Sequence, residues 1–244
     1  MAPVMLKRML MLMIPLLFLS GCFYPNAEKV ENQVAPLDQL NMVQTAVDQY
    51  RQDNKGLLPL KDRDQSYDQY VKHPVDFSKL QPRYLSELPG SSFEKGGYYQ
   101  YVMMDVETDP TVKLVDLRNA EVLKDLRIRL NIQDRTLALD QKVGPNVYKI
   151  AYKKYGLDEY PTVNSPYSGE ALPVYINGGN DFIIDYTQDL GRVIREKKLK
   201  LKQGEDIRYI LYQDSPILPA YSVPYTVNEK NEPIFKSNAN PDKK

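Results

Sequence analysis

The chain contains a single cysteine, Cys22, which follows an apolar run at residues 9–19. As an α-helix this run would rise only about 16 Å, roughly half the thickness of the hydrocarbon core of a bilayer. Lys7 and Arg8 precede the run, and the order of charged, apolar and small residues is typical of a secretory signal. Residues 1–21 are therefore predicted to be a signal peptide that takes no part in the fold.

Because Cys22 is the only cysteine, no disulfide can form within the chain, and the part after it must depend on a packed core. The chain has 32 basic and 32 acidic side chains, and removal of Lys7 and Arg8 with the signal leaves 30 against 32, a net charge of −2. This balance, without a basic block, argues against nucleic acid as a partner. No apolar run after Cys22 is long enough to predict a transmembrane helix.

The residues Leu19, Ser20, Gly21 and Cys22 resemble the lipobox of bacterial lipoproteins. In that family the cysteine sulfur takes a diacylglyceryl group, and cleavage makes the cysteine the new N-terminus. The resemblance implies lipidation at Cys22, with acyl chains such as palmitate holding the protein to the cell membrane on its extracytoplasmic side. Two acyl chains anchor stably, at about 0.8 kcal/mol per buried methylene, whereas one chain binds only marginally. The other interpretation of Cys22, a buried apolar side chain or half of a disulfide, lacks a partner cysteine.

Residues 22–36 are polar, contain two prolines and are predicted to be the lipidated cysteine with a tether. A helix is predicted to follow and to end at Asn54 and Gly56, which readily adopt the left-handed conformation. Its apolar residues recur at a spacing that places them on one face. They are Leu37, Leu40, Val43, Val47 and Tyr50.

The next segments alternate between strand and helix patterns. A helical turn is predicted over residues 77–84, and residues 98–104 and 111–117 are predicted to form a hairpin. A second helix is expected over residues 120–131, capped by Asn119.

A similar order of elements then recurs. Asn146 is predicted to cap a helix that runs to Tyr155, and after a proline-containing loop residues 172–176 and 181–187 are predicted to be strands. Helix, loop and hairpin would thus occur twice, either by internal duplication or by chance in a chain of this class.

The predicted fold class is α+β, with helices packed on antiparallel sheet. The extracytoplasmic domain is assigned to residues 37–236, as one compact unit or as halves 37–131 and 132–236. The polar residues 237–244 are predicted to be a disordered tail.

Two resemblances bear on this domain. The stretch AVDQYRQDNKGLLP, residues 46–59, resembles the soluble part of type II pseudopilins, although this chain lacks their long apolar N-terminal helix. That likeness implies a local fold and no filament assembly. The layout of most of the chain resembles the YphF-like lipoproteins of Bacillus and its spore-forming relatives, which implies a membrane-anchored extracytoplasmic protein and no known activity.

Candidate catalytic groups are few. His73 is the sole histidine, which excludes multi-histidine zinc sites, and no glycine-rich phosphate loop is present. Asp62, Asp64 and Asp68 imitate the start of a calcium loop, but Tyr67 stands where such a loop needs glycine. The sequence therefore predicts no cofactor and no metal site.

Carboxylates remain as possible acid and base. In extended chain Asp105, Glu107 and Asp109 would share one face, as would Asp181 and Asp185. Such pairs serve glycosidases when their carboxyl groups are about 5 to 9.5 Å apart. Their other interpretation is as solvated residues of turns.

Tyrosines in the proline-spaced segment 215–227 suggest either a ligand-binding surface presenting Tyr221 and Tyr225, or a strap packed over a sheet. Two functions follow for the whole chain. The favoured one is a non-enzymatic binding or structural protein of the envelope, with a protein or a cell-wall polymer as partner. The alternative is a wall-directed hydrolase using one of the carboxylate pairs.

Overall fold

The computed structural model describes residues 28–61, 68–130 and 137–237. Of the described residues, those from Gln39 onward belong to one compact unit. The predicted signal peptide, Cys22 and the predicted tail after residue 237 lie outside the described residues.

Helices and antiparallel strands are both present, so the predicted α+β class is confirmed. The helices are α1 (Glu28–Asp53), α2 (Phe77–Leu80), α3 (Leu117–Arg129), α4 (Thr187–Glu196) and α5 (Tyr209–Tyr212), with 3₁₀ turns at Phe93–Lys95 and Tyr152–Tyr155. The strands are β1 (Tyr99–Met104), β2 (Thr111–Asp116), β3 (Leu139–Gly144), β4 (Val147–Ile150), β5 (Thr162–Asn164), β6 (Ala171–Asn177), β7 (Phe182–Ile184), β8 (Tyr225–Val227) and β9 (Pro233–Phe235).

The strands form three antiparallel groups. β1 pairs with β2, and β8 pairs with β9. A five-stranded sheet has the order β3-β4-β6-β5, with β7 paired along β6. In β6 the residues alternate between buried and partly exposed, as expected for a strand with one face on a core.

Helix α1 confirms the predicted amphipathic helix over residues 37–53, but it begins at Glu28 and therefore includes part of the predicted tether. Val43, Ala46 and Val47 are its buried residues, whereas Leu37 is exposed. The helix ends where predicted and Gly56 has the expected positive φ, but the other left-handed residue is Lys55 and not Asn54.

The predicted β1–β2 hairpin and the helix after it are also present. The helix starts earlier than expected because the Asp116 side chain accepts the Arg118 N–H. Asn119, the predicted cap, lies inside α3, where it is buried and donates to the Asn164 carbonyl at 3.2 Å.

The predicted helix over residues 146–155 is wrong. Residues 147–150 form β4, which pairs with β3 and β6, and residues 152–155 form a 3₁₀ turn. Asn146 has a φ of 56° in the β3–β4 turn, and its side chain accepts the Gly178 N–H at 3.0 Å. The repeated order of helix, loop and hairpin is thus not found between residues 137 and 187.

Residues 216–220 form a strap that joins the end of the chain to the β1–β2 hairpin. The Leu114 N–H donates to the Pro216 carbonyl, and the Leu218 N–H donates to the Leu114 carbonyl, both at 2.8 Å. Leu218 and Ala220 are buried in a cluster with Val102 and Val115 of the hairpin. The interpretation of this segment as a packed strap is therefore confirmed.

Candidate functional site

A groove of about 720 Å³ lies between the end of α4, the connector at residues 198–203 and the β8–β9 turn. We call it the cationic groove. Its lining residues are Gly191, Ile194, Arg195, Lys198, Leu199, Lys200, Leu201, Gln203, Asn228, Glu229, Lys230, Asn231, Glu232 and Pro233.

The end of α4 sets the first wall of the groove. Lys198 adopts a left-handed conformation with a φ of 51°. The Leu199 N–H donates to the Ile194 carbonyl at 3.0 Å, and the Lys198 N–H donates to the Arg195 carbonyl at 3.3 Å. These two bonds are those of a Schellman motif, which reverses the chain direction and brings the connector beside the helix it leaves.

The connector alternates lysine with leucine. Leu199 and Leu201 are half-buried against the C-terminal core, whereas Lys198 and Lys200 are exposed. The leucines therefore pack inward while the lysines that alternate with them face solvent.

Asn231 in the β8–β9 turn holds the other wall against the connector. Its side-chain oxygen accepts the Leu201 N–H at 3.1 Å, and its side-chain nitrogen donates to the Leu199 carbonyl at 2.8 Å. Asn228 orders the turn itself, accepting the N–H groups of Lys230 and Glu232 at 2.9 and 3.0 Å. Hydrogen bonds from these two asparagine side chains to the backbone therefore fix both the connector and the β8–β9 turn.

The groove has an excess of positive charge. Its lining contains four basic side chains, Arg195, Lys198, Lys200 and Lys230, and two acidic ones, Glu229 and Glu232, which gives a net charge of +2. Within the described ranges, none of the four basic side chains forms an ion pair.

Two neighbouring lysines outside the lining differ in this respect. Lys197 pairs with Asp214, and Lys202 pairs with Glu205 at 3.1 Å. Within the described residues, the two lysines beside the groove therefore have ion-pair partners, whereas the basic side chains in its lining have none.

The structure does not assemble the predicted carboxylate pairs. Asp105, Glu107 and Asp109 are exposed in the β1–β2 turn, which is not extended chain, and Asp105 has a φ of 52°. Asp181 is exposed at one end of β7. Asp185, at the other end, accepts the Thr187 N–H at 2.9 Å and the Tyr225 hydroxyl at 3.1 Å, so it orders the start of α4.

Tyr225 and His73, two other residues singled out from the sequence, make hydrogen bonds within the fold. Tyr225 is fully buried in β8, and its hydroxyl also accepts the Tyr186 N–H at 3.0 Å. Burial raises the pKa of this hydroxyl, so it stays protonated and donates to Asp185. Burial and the nearby Lys72 lower the pKa of His73, whose carbonyl accepts the Met103 N–H at 2.8 Å.

Asp181 and Tyr221 line a second cavity of about 340 Å³ beside α3. The guanidinium of Arg127 lies 5.1 Å from the ring centre of Phe182 there, and it donates to the Asn180 carbonyl at 3.3 Å. Arg127 thus joins α3 to the β6–β7 hairpin. Among the described residues, the cavity brings together one predicted acid and one predicted tyrosine and no second carboxylate.

The sequence analysis found no basic block and did not identify the cationic groove. The available signal was the alternation of lysine and leucine over residues 198–202, which predicts one packed side and one charged side. The β8–β9 turn, which supplies Lys230 and Asn231, has no comparable pattern in the sequence.

Comparison with protein families identifies one part of the chain. Residues 36–116 match the model of the YphF family N-terminal domain. Over this segment the chain is YphF-like. The predicted resemblance is confirmed there, and the match does not extend over the later residues that form the cationic groove. Searches of curated proteins and of solved structures found no match.

In the described ranges no three histidine, cysteine or carboxylate side chains come together as a set of metal ligands. Among the same residues, no helix has both the length and the apolar character needed to cross a membrane.

Proposed function

We propose that the protein is a lipoprotein held to the outer side of the cell membrane by acyl chains on Cys22. The proposal is supported by the basic residues before the apolar run, the length of that run and the LSGC motif at its end. The YphF-like segment at residues 36–116 begins shortly after this leader, as expected for a folded part that follows an anchor.

The proposed molecular activity is non-enzymatic binding of an envelope component in the cationic groove. The observation that supports it best is a concave site whose four basic side chains have no ion-pair partner in the described ranges. Unneutralised charge within a concave surface focuses the electrostatic field toward a ligand of opposite charge. The acyl anchor would restrict the search for that ligand to the membrane surface.

A cell-wall polymer suits the groove better than a protein partner does. Stable protein interfaces bury roughly 1,200 to 2,000 Å² in total and have apolar centres. The cationic groove instead presents exposed charged side chains beside half-buried leucines. A slender polar chain can enter it without such a centre.

Anchoring is tested by labelling cells with radioactive palmitate. The natural protein should become labelled and fractionate with membranes, whereas Cys22→Ala should be unlabelled and retain its leader. Ser20→Ala, which keeps a small residue before the cysteine, serves as the matched control and should be labelled normally. Normal labelling of Cys22→Ala would overturn the anchoring proposal.

Binding is tested by sedimenting the full chain, kept in mild detergent, with purified cell-wall sacculi. The protein should pellet with the sacculi, and the turbidity of the suspension should stay constant because no bond is cleaved. Protein left in the supernatant would refute wall binding. A fall in turbidity would refute the non-enzymatic activity and favour the hydrolase.

A further inference from the structure

We propose that the ligand of the cationic groove is a linear polyol phosphodiester polymer of the cell wall, in which a carbon skeleton without nucleobases separates the charges. This proposal rests on the proposed function, which makes the groove the binding site. It goes further in naming the chemical class of the polymer and the side chains that recognise it.

The groove offers mainly lysine ammonium groups. Three of its four basic side chains are lysines, Lys198, Lys200 and Lys230. A lysine ammonium acts as a compact point charge that binds phosphate without the bidentate geometry that arginine offers to phosphate and carboxylate alike. A phosphodiester chain carries a full negative charge at each linkage, so it can satisfy several such point charges in succession.

The groove also has apolar surface between its charged side chains. Ile194, Leu199 and Leu201 line the groove beside the lysines, and Pro233 lines it from β9. Apolar surface of this kind suits the carbon skeleton of a repeating unit, since it removes CH groups from water. A chain of bare phosphates would leave this surface without a partner.

The cations of the groove are distributed over three segments. Arg195 lies on α4, Lys198 and Lys200 lie on the connector, and Lys230 lies on the β8–β9 turn. A single phosphate ion carries fewer negative charges than the four cations on these segments, so it cannot neutralise them all. A flat membrane surface reaches the rim of a concave site and leaves the interior unfilled. A flexible polymer can follow all three walls.

The main experiment measures binding of the full chain in mild detergent to immobilised poly(glycerol phosphate). The test variant is Lys198→Ala/Lys200→Ala, in which both changed side chains are exposed, so the fold should be retained by circular dichroism. The matched control is Lys153→Ala/Lys154→Ala, which removes two exposed lysines outside the groove that have no ion pair within the described residues.

The test variant should lose at least about tenfold in affinity at about 0.1 M salt, and the control should stay within about twofold of the natural protein. The dependence of log affinity on log salt should become shallower by about 1 to 2 in the test variant, because fewer counterions are released. Equal losses in the two double variants would show general charge attraction and overturn the groove as the site.

A second variant is expected to gain affinity, a result that misfolding cannot produce. Glu229 lines the groove and is exposed, so Glu229→Gln removes repulsion of the polymer and should raise affinity by about twofold or more. An unchanged or lower affinity in a folded Glu229→Gln protein would contradict placement of the polymer along this wall.

Other probes decide the chemical class. Hyaluronate, a carboxylate polymer, and neutral dextran should bind weakly, and inorganic phosphate at equal phosphate concentration should not displace the polymer. Groove-dependent binding to hyaluronate of equal strength would overturn the phosphodiester assignment. Binding to anionic phospholipid vesicles that the double variant abolishes, without binding to the polymer, would assign the groove to the membrane instead.

The same variants separate this proposal from the proposed function. If sacculi still pellet Lys198→Ala/Lys200→Ala as well as the natural protein, wall binding stands and the groove assignment fails. If the natural protein binds poly(glycerol phosphate) through the groove but not sacculi, the chemical assignment stands and wall binding fails. Binding to neither refutes both.

Discussion

At the residue scale, Asp68 shows how burial changes the protonation of a carboxyl group. Its side chain accepts the Tyr70 N–H at 2.8 Å. Burial is the main cause that raises the pKa of Asp68 above the usual 3.8, and the Tyr70 hydrogen bond and the charge of Arg208 oppose it. The folded protein therefore holds this proton more strongly than the unfolded chain does.

The predicted consequence is a loss of stability as pH rises through the folded pKa of Asp68. Between the unfolded and folded pKa values the folded protein binds more protons, so the free energy of unfolding falls with increasing pH. Asp68→Asn keeps an oxygen for the Tyr70 N–H and removes the buried charge. It should be more stable than the natural protein at about pH 7, and the difference should vanish below the unfolded pKa.

Urea unfolding at several pH values between about 3 and 8 measures this difference. Asp109→Asn, a substitution in the exposed β1–β2 turn, is the control and should leave the pH dependence unchanged. A less stable Asp68→Asn at neutral pH would mean that attraction between Asp68 and Arg208 outweighs the cost of burial.

Residues in the C-terminal part show what the sequence could not reveal at this scale. The sequence identified Asp185 and Tyr225 as polar groups of interest but not that they contact each other. They are separated by α4 and the strap, and only the packed fold brings the Tyr225 hydroxyl within reach of the carboxylate. Pairings over such sequence distances depend on tertiary structure, so local patterns cannot predict them.

At the scale of elements, the sequence predicted those whose local pattern is sufficient. The period of α1, its end before Gly56 and the β1–β2 hairpin were all visible in the sequence. Residues 147–150 were assigned to a helix, but pairing with β3 and β6 makes them a strand. Their Val, Tyr and Ile residues suit a strand, and in such short segments tertiary contacts override the capping signal that Asn146 suggested.

The end of α4 permits a test in which stability and binding change in opposite directions. Lys198 occupies the left-handed position that glycine takes most easily at a helix end. Lys198→Gly should increase the free energy of unfolding by about 0.5 to 1 kcal/mol, since relief of the left-handed strain exceeds the added entropy of the unfolded chain. The same change should weaken binding to poly(glycerol phosphate), because it removes a groove charge.

Lys55 provides a matched control at the end of α1. It has a φ of 56°, and the Gly56 N–H donates to the Arg51 carbonyl at 2.9 Å, so the helix end has the same design. Lys55→Gly should give a similar gain in stability with unchanged affinity, because Lys55 does not line the groove. Equal affinity losses in the two glycine variants would remove Lys198 from the binding site.

At the scale of the whole molecule, the strap connects the YphF-like segment to the rest of the chain. The core of that segment includes Val43, Tyr101 and Leu114, and Ile217 of the strap packs against it. Residues 39–244 form one compact unit, in which this core is joined to the C-terminal core through the strap. The sequence could not decide between one unit and two halves. The hydrogen bonds between Leu114 and the strap join residues about a hundred positions apart, which local patterns do not reveal.

Leu218→Ala tests whether the whole unit unfolds together. Leu218 is 2% exposed, and its loss should reduce the free energy of unfolding by about 2 to 4 kcal/mol through the cavity left beside Val102 and Val115. Because the chain lacks tryptophan, far-ultraviolet circular dichroism in urea and hydrogen exchange are suitable measurements. Amides of β1–β2 and of β6 should lose protection equally, since both report one cooperative transition.

Leu57→Ala, at a side chain 67% exposed, is the control and should change stability by less than about 0.5 kcal/mol. Two separate transitions, of which Leu218→Ala shifts only that of the hairpin, would instead establish two independently stable halves.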